Sequence, residues 1–263
     1  MDTIAPHRTV NGAAEATTMM SASRVLEALS TGAIEVLGLL PYSSNYTFLV
    51  RVTSGDERTL AVYKPQRGER PLWDFTTGSL GAREVTSYLV SEAAGWGIVP
   101  PTVFREEGPL GAGSLQLFVE HDPDRHFFVL MEERLDDFRV FAAFDVVINN
   151  ADRKAGHVIE DGSRMPKKKK KLWAVDHGLT FHAEPKLRTV IWQFAGEPLG
   201  ASLRNQLGTL GSALSDPGGL GGEVAELLTL EESARALERV EGLLIEDSFP
   251  SPGLDRPLPW PLV

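Results

Sequence analysis

Two aspartates in the middle of the chain each follow an apolar segment, and their positions constrain the fold more than any other feature. Asp152 lies in the stretch N-N-A-D-R-K-A-G-H, directly after an apolar helical pattern over residues 136–148. Asp176 begins the stretch D-H-G, directly after a strand pattern over residues 172–175. Because that strand and the one over residues 157–159 predict a hairpin, the segments that carry both aspartates are brought together. We expect Asp152 and Asp176 to share one site.

The chain changes from strand patterns to helical patterns near its middle. Five short runs of β-branched and aromatic residues predict strands at residues 34–37, 46–52, 59–64, 101–105 and 114–120. Apolar residues at helical spacing predict helices at residues 21–29, from residue 81, and at residues 136–148, 199–207, 223–230 and 231–245. The pattern predicts a flexible tail at residues 1–20, an N-terminal lobe at residues 21–120 and a C-terminal lobe at residues 121–263.

Charge and composition exclude several classes of function. The 263 residues carry 26 Lys and Arg against 36 Asp and Glu, so the overall field repels nucleic acid and anionic membranes. No apolar stretch approaches the roughly 20 residues of a membrane-spanning helix, and residues 1–20 lack the apolar core of a secretory signal. The absence of cysteine excludes thiolate chemistry. We expect a cytoplasmic protein with no nucleic-acid partner and no transmembrane segment.

The residues around the two aspartates match the needs of phosphoryl transfer. That reaction uses one carboxylate to orient or deprotonate the acceptor hydroxyl, a second to hold a metal ion, and a cation against the γ-phosphate. Asp152, Asp176 and Lys154 are residues of these types. The alternative is that both aspartates are ordinary turn and cap residues, which Asp also favours.

Upstream residues add a possible phosphate site. Lys64 ends a predicted strand and Glu84 lies in the helix that follows, an arrangement in which a carboxylate holds a lysine against phosphates. A polar turn at Ser43, Ser44 and Asn45 offers backbone N–H groups that favour anions. Each feature alone is a weak signal, and the order of all of them along the chain is a stronger one.

That order resembles the order of elements in the protein-kinase-like superfamily. The Asp152-Arg153-Lys154 and Asp176-His177-Gly178 stretches resemble the D-R-H-x-x-N and D-F-G motifs of phosphoinositide 3- and 4-kinases. The stretches N-N-A-D-R-K-A-G-H and V-D-H-G-L-T-F-H also resemble those of an actinobacterial family distantly related to these kinases. The resemblance covers residues 34–198. It implies an α+β, two-lobed protein-kinase-like fold, with a small antiparallel-sheet N-lobe and a mainly helical C-lobe.

The resemblance also implies roles for individual residues. Lys64 would bind the α- and β-phosphates of ATP with Glu84 as its brace, and Lys154 would face the γ-phosphate. Asp152 would be the catalytic acid-base residue, and Asp176 would bind metal. Residues 115–120, with Gln116 and Phe118 as cofactor-binding residues, would connect the lobes and face the adenine.

His157 departs from the family pattern. It lies five residues after Asp152, where the related families have a metal-binding asparagine. Mg²⁺ prefers oxygen ligands, whereas imidazole suits Mn²⁺ or Zn²⁺ better. His157 is therefore either a ligand that shifts the preference from Mg²⁺ towards Mn²⁺ or a hydrogen-bonded structural histidine.

These observations lead to a hypothesis for the function. We expect an ATP- and metal-dependent phosphotransferase of the phosphoinositide-kinase-like type, with Mg²⁺ or Mn²⁺, that acts on a hydroxyl of an unidentified protein or small molecule. Two alternatives use the same residues. One is a nucleotide-binding pseudokinase, and the other is an adenylyl transferase that binds the nucleotide in reverse.

Overall fold

The structure is a computed structural model that describes residues 21–40, 45–162, 170–253 and 256–263. The predicted tail at residues 1–20 lies outside these ranges, as do Ser43 and Ser44 of the predicted phosphate turn. Among the helices described, none is long and apolar enough to cross a membrane.

An antiparallel sheet of five strands forms the N-terminal part of the described chain. Its strands are β1 (Ala33–Leu39), β2 (Phe48–Ser54), β3 (Glu57–Pro65), β4 (Thr102–Arg105) and β5 (Gly113–Leu117). They lie in the order β1-β2-β3-β5-β4, so β1 and β4 form the edges of the sheet. Lys64 pairs with Ser114 of β5, which fixes it near the end of a central strand.

Two helices belong to this N-terminal part. α1 (Ala22–Thr31) begins at Ser21, whose hydroxyl accepts a hydrogen bond from a backbone N–H of the first turn. α2 (Leu80–Ala93) ends just before Gly95, whose positive φ of 69° is a backbone conformation that glycine adopts without strain. The glycine therefore explains why the helix stops where the sequence predicts.

The C-terminal part is mainly helical. Its helices are α3 (Phe127–Arg134), α4 (Phe138–Val147), α5 (Ala201–Leu214), α6 (Leu220–Leu227) and α7 (Leu230–Glu246). Short 3₁₀ turns lie at Gln66–Gly68, Leu135–Asp137 and Ala155–His157. A hairpin of β6 (Val158–Glu160) and β7 (Leu172–Ala174) lies between α4 and α5 in the chain.

Aromatic side chains fill the core of the helical part. Phe138, Phe141 and Phe144, which the sequence places at helical spacing, are all buried. Phe127 meets Phe138 edge to face, with 4.9 Å between ring centroids, and Trp96 meets Phe144 in the same way at 5.9 Å. This packing fixes α4, and α4 leads directly into the stretch that carries Asp152.

The structure confirms the predicted α+β fold class, with a small antiparallel sheet followed by a mainly helical part. The strand predicted over residues 114–120 ends at Leu117, because the chain then leaves the sheet and His121 pairs with Asp161 beside the hairpin. The sequence pattern does not predict α3, because its apolar residues form one run without helical spacing. The lobe boundary after residue 120 stays a prediction.

The last two helices also differ from their predicted limits. They meet at Thr229 and not after residue 230, because Thr229 caps α7 and exchanges hydrogen bonds with Glu232. The glycine-rich stretch at residues 217–222, which the sequence pattern predicts as a loop, is partly helical, since α6 begins at Leu220.

Candidate active site

A cavity of about 380 Å³ collects residues from both parts of the molecule. Lys64 of β3 and Glu84 of α2 line it on one side, and His157 and Asp176, which flank the hairpin, line it on the other. Its volume lies within the roughly 300–1,000 Å³ typical of small-molecule sites. These four predicted site residues, of which the first and last are 112 positions apart in sequence, therefore share one cavity.

Lys64 lies between two carboxylates. Its Nζ donates to Asp176 Oδ1 at 2.8 Å and also makes a short contact with Glu84 Oε1. Burial acts to lower the pKa of Lys64, but the charges of Asp176 and Glu84 outweigh it and raise the pKa above its ordinary value. Lys64 is therefore a permanently charged ammonium held at the cavity wall.

Asp176 is held by its backbone as well as by Lys64. Its φ of 60° lies in the left-handed region, which is uncommon for a residue other than glycine and often marks a functional position. The charge of Lys64 keeps the pKa of Asp176 well below its usual range. The side chain is half-exposed towards the cavity, so Asp176 presents a stable carboxylate there.

Asp152 and Lys154 lie beside the cavity and not in its wall. Both belong to residues 149–157, hereafter the Asp152 loop, which also carries His157. Lys154 Nζ lies 3.3 Å from Asp152 Oδ2. Burial raises the pKa of Asp152 to about 6, although the charge of Lys154 acts in the opposite direction. A carboxylate with this pKa can accept a proton near neutral pH.

The buried side chain of Arg153 holds the Asp152 loop in place. It is completely buried and pairs with Asp145 of α4, with 2.9 Å between Nε and Oδ1. One terminal nitrogen, Nη1, donates to the backbone oxygens of both His157 at 3.2 Å and Val175 at 3.0 Å. The Arg153 side chain thus connects three places: α4, the predicted metal ligand His157, and Val175, which precedes Asp176.

His177 continues this connection to α2. Because a guanidinium only donates, the 2.9 Å contact of Arg153 makes His177 Nε2 an acceptor and leaves the hydrogen on Nδ1. Nδ1 faces Glu84 Oε2 at 3.8 Å, and the His177 backbone N–H donates to the same oxygen at 3.0 Å. Burial and the charge of Arg153 lower the pKa of His177 well below its usual value, so the ring is neutral.

Asp176 and His157 fit a divalent cation. His157 Nε2 lies 3.4 Å from Asp176 Oδ2, and its Nδ1 accepts a long hydrogen bond from the Lys154 N–H at 3.5 Å. Binding a cation at Nε2 therefore moves the imidazole hydrogen to Nδ1 and breaks that bond. Two ligands that are each about 2.1 Å from one cation lie roughly 3.0–3.4 Å apart, so the separation is suitable. Burial lowers the pKa of His157 to about 4, which leaves a neutral imidazole. In the described part of the chain no group of three or more His, Cys, Asp or Glu side chains could hold a metal.

Part of the cavity wall is apolar. Val62, Leu117 and Ile159 line it. Leu117 belongs to the predicted connection at residues 115–120, whereas Val62 and Ile159 are apolar strand residues that no sequence motif marks. Gln116 and Phe118 line it as well. Apolar walls with a few polar groups are typical of sites that bind a flat heterocycle.

Backbone donors at the predicted adenine contact are already used. The Phe118 N–H donates to Leu60 O at 3.0 Å, and the Leu117 N–H donates to Pro101 O at 2.8 Å. These two N–H groups are therefore not available to an adenine, and the expectation that other backbone groups of residues 115–120 face it stays a prediction. The Gln116 side chain donates to Thr102 Oγ1 at 2.9 Å.

Of the predicted phosphate turn, the structure describes Asn45 alone. Asn45 lines the cavity, and its side-chain oxygen accepts a hydrogen bond from the Arg70 N–H at 2.9 Å. Ser43 and Ser44 lie outside the described residues.

The fold with this cavity is similar to that of two solved structures. Golgi casein kinase with Mn and ADP bound superposes with a TM-score of 0.58, at 15% sequence identity over 86% of this chain and 75% of that chain. The hydra Fam20 structure with sugar superposes with a TM-score of 0.59, at 14% identity over 86% and 87% of the two chains. The chain therefore has a protein-kinase-like fold.

One relative identifies the family. Protein Rv2133c of Mycobacterium tuberculosis strain H37Rv is 37% identical over 270 residues, which cover 89% of this chain and 93% of the relative. The chain belongs to the family of Protein Rv2133c. No family model matches the sequence.

Replacing Asp145 with alanine is expected to destabilise the protein by about 3–5 kcal/mol, because it leaves the buried Arg153 charge without a partner. Urea unfolding followed by tryptophan fluorescence measures this change. Asp136→Ala is the matched control, since Asp136 pairs with Arg139 at 3.7 Å but its side chain is 94% exposed. Equal midpoints for the two variants would contradict the assigned role of the buried pair.

Proposed function

We propose that this protein is an ATP-dependent phosphotransferase whose nucleotide site is the cavity lined by Lys64, Glu84 and Asp176. The observation that carries the proposal is the single ammonium of Lys64, held between two carboxylates from different parts of the fold. Such a cation binds phosphate oxygens without first having to lose conformational freedom. The kinase-like fold of the chain supports the same function.

Each residue of the site has a separate role in this proposal. Lys64 binds the α- and β-phosphates, and Glu84 keeps it pointed into the cavity. Val62, Leu117 and Ile159 contact the faces of the base. Asp152 accepts the proton of the acceptor hydroxyl while the hydroxyl oxygen attacks the γ-phosphorus, the bond from that phosphorus to the bridging oxygen breaks, and ADP leaves. Lys154 neutralises charge on the phosphoryl group in transfer.

Asp176 and His157 would hold a divalent cation, which when bound neutralises charge on the phosphate oxygens. A single carboxylate and a single imidazole leave most coordination positions to phosphate and water, as is usual for a cation that binds with a nucleotide. The related Golgi casein kinase was solved with Mn and ADP, which supports Mn²⁺ as a candidate beside Mg²⁺.

The acceptor in this proposal is a hydroxyl of a protein or small molecule. The motif order resembles that of phosphoinositide kinases, and the proposal keeps that type of site. A lipid acceptor is less suitable, because the net charge of -10 repels anionic membrane surfaces.

ATP with Mg²⁺ or Mn²⁺ is expected to raise the melting temperature of the wild type and not that of Asp176→Asn. At 100-fold excess over Kd, ligand binding stabilises a protein by about 2.7 kcal/mol, or roughly 5–10 °C for a chain of this size. Asp56→Asn is the matched control, because Asp56 lies exposed in the turn between β2 and β3. An equal shift in all three proteins would remove Asp176 from the site.

The products of ATP turnover separate the proposal from its alternatives. Phosphoryl transfer to an acceptor or to water releases ADP, whereas adenylyl transfer releases pyrophosphate. ATP binding without either product would indicate a pseudokinase, and no binding by the wild type would refute the nucleotide site itself.

The rate of phosphoryl transfer is expected to fall as the pH drops below about 6. Asp152 accepts a proton only when ionised, and burial has raised its pKa from 3.8 to about 6, so activity is lost at a higher pH than for an exposed aspartate. A profile of kcat/KM measures the midpoint of this loss. It should run from about pH 4.5 to about pH 9, so that it extends at least one unit beyond the pKa on each side. Lys154→Met should move the midpoint to higher pH, because the Lys154 charge lowers the pKa of Asp152. An unmoved midpoint would assign the titration to another group.

His157→Asn is expected to reduce the preference for Mn²⁺ over Mg²⁺ in ATP binding. The replacement exchanges a nitrogen ligand for an oxygen ligand, which Mg²⁺ prefers. Isothermal titration with each metal in turn gives the ratio of the two ATP affinities. If the variant keeps the ratio of the wild type, His157 is a structural histidine and not a ligand.

A further inference from the structure

Helix α2 is an internal helix. It contacts β4 and β5 of the sheet and also α5 and α6 of the helical part. Ten of its fourteen residues are buried, including the charged side chains of Arg83 and Glu84. A helix enclosed in this way has little room to move without breaking contacts on several sides.

Arg83 and Glu84 serve different faces of this helix. Successive residues of an α-helix point about 100° apart, so neighbours can reach separate partners. Glu84 reaches Lys64 at the cavity, whereas Arg83 reaches Glu232 in the first turn of α7. The two residues therefore connect the nucleotide site with the C-terminal helices through one turn of α2.

Arg83 is held by two segments of the C-terminal part at once. Its side chain is 3% exposed, and one terminal nitrogen lies 2.6 Å from Glu232 Oε1. The other donates to the backbone oxygen of Thr180 at 2.5 Å. Thr180 lies four residues after Asp176, so Arg83 also fixes the segment that carries the predicted metal ligand.

The Glu232 carboxylate is held in its orientation by Thr229 as well as by Arg83. Its other carboxylate oxygen, Oε2, accepts hydrogen bonds from the Thr229 N–H at 3.1 Å and the Thr229 hydroxyl at 3.0 Å. The Thr229 hydroxyl in turn accepts from the Glu232 N–H at 3.2 Å, which completes a reciprocal capping box at the start of α7. The cap leaves Oε1 facing the guanidinium, so the ion pair forms between two restrained groups.

We infer that Arg83 and Glu232 form a positioning pair, which locks α2 against α7 and thereby keeps Glu84 and Lys64 in the geometry that binds nucleotide. The inference rests on the proposed function for its consequence, nucleotide affinity, but not for the lock itself. A shift of α2 would separate the pair and leave both charges buried without a partner, which is strongly unfavourable. The site is therefore held assembled by a contact within the chain.

Hydrogen exchange tests the lock without any nucleotide. In Glu232→Ala, the backbone amides of α2 are expected to exchange faster, whereas those of the sheet strands β2 and β3 keep the wild-type rate. Glu238→Ala is the matched control, because Glu238 pairs with Arg235 on the same helix but both side chains are about half exposed. Unchanged exchange in α2 would overturn the inference, and faster exchange throughout the chain would reduce the pair to a general stabilising contact.

ATP affinity tests the consequence. If the competent state falls to about a tenth of the population, the apparent Kd rises about tenfold. We expect this rise in Glu232→Ala and in Arg83→Met, and no larger rise in the double variant, since both remove the same interaction. Glu232→Gln keeps one acceptor oxygen for Arg83, while its amide NH₂ faces Thr229 and can donate to the Thr229 hydroxyl, so it should restore part of the affinity. It also serves as the folded substitute if the alanine variant does not fold.

The two proposals fail in different ways. A wild type that binds no ATP refutes the nucleotide site, while hydrogen exchange in α2 still decides whether the lock exists. A wild type that binds ATP, with unchanged affinity in Glu232→Ala and Arg83→Met, refutes the positioning role and leaves the nucleotide site standing.

Discussion

The buried ion pair between Arg153 and Asp145 is the interaction on which the rest of the site depends. Taking two charges out of water is unfavourable, and the structure compensates with further hydrogen bonds to both. Asp145 accepts from the Thr189 hydroxyl at 2.9 Å and the Asn150 amide at 3.1 Å, and Arg153 donates to two backbone oxygens and to His177. A group with this many partners has one position, so the loop that carries Asp152 is fixed.

From Arg153 the polar contacts run to the other half of the molecule. His177 links it to Glu84, Glu84 contacts Lys64, and Lys64 contacts Asp176. Each of these groups satisfies or neutralises the next, which is how charged residues are accommodated in a partly buried site. The cavity is therefore a consequence of the same contacts that join the sheet to the helices.

The sequence predicted the fold class and several residues of this cavity, but it predicted regular segments better than irregular ones. Periodic segments such as α2 and the strands around Lys64 were found because their apolar spacing is regular, while α3 was missed because its apolar run is not. Lys64, Glu84, Asp176 and His157 do share a cavity, whereas Asp152 and Lys154 lie beside it. The importance of Arg153 was not seen, although it stands between the two predicted catalytic residues, because nothing in a sequence indicates that a charge is buried.

The sequence alone determined the order of elements and the types of side chain at the site, because hydrophobic spacing, turn residues and short motifs are local properties. Only the tertiary structure decided which charged side chains are buried and which residues they pair with. Arg83 and Glu232 are 149 positions apart in sequence, and their contact exists because α2 lies inside the molecule, where the Arg83 side chain reaches the start of α7. Burial and pairing over such distances depend on how the elements pack, and the local pattern of residues carries no record of that.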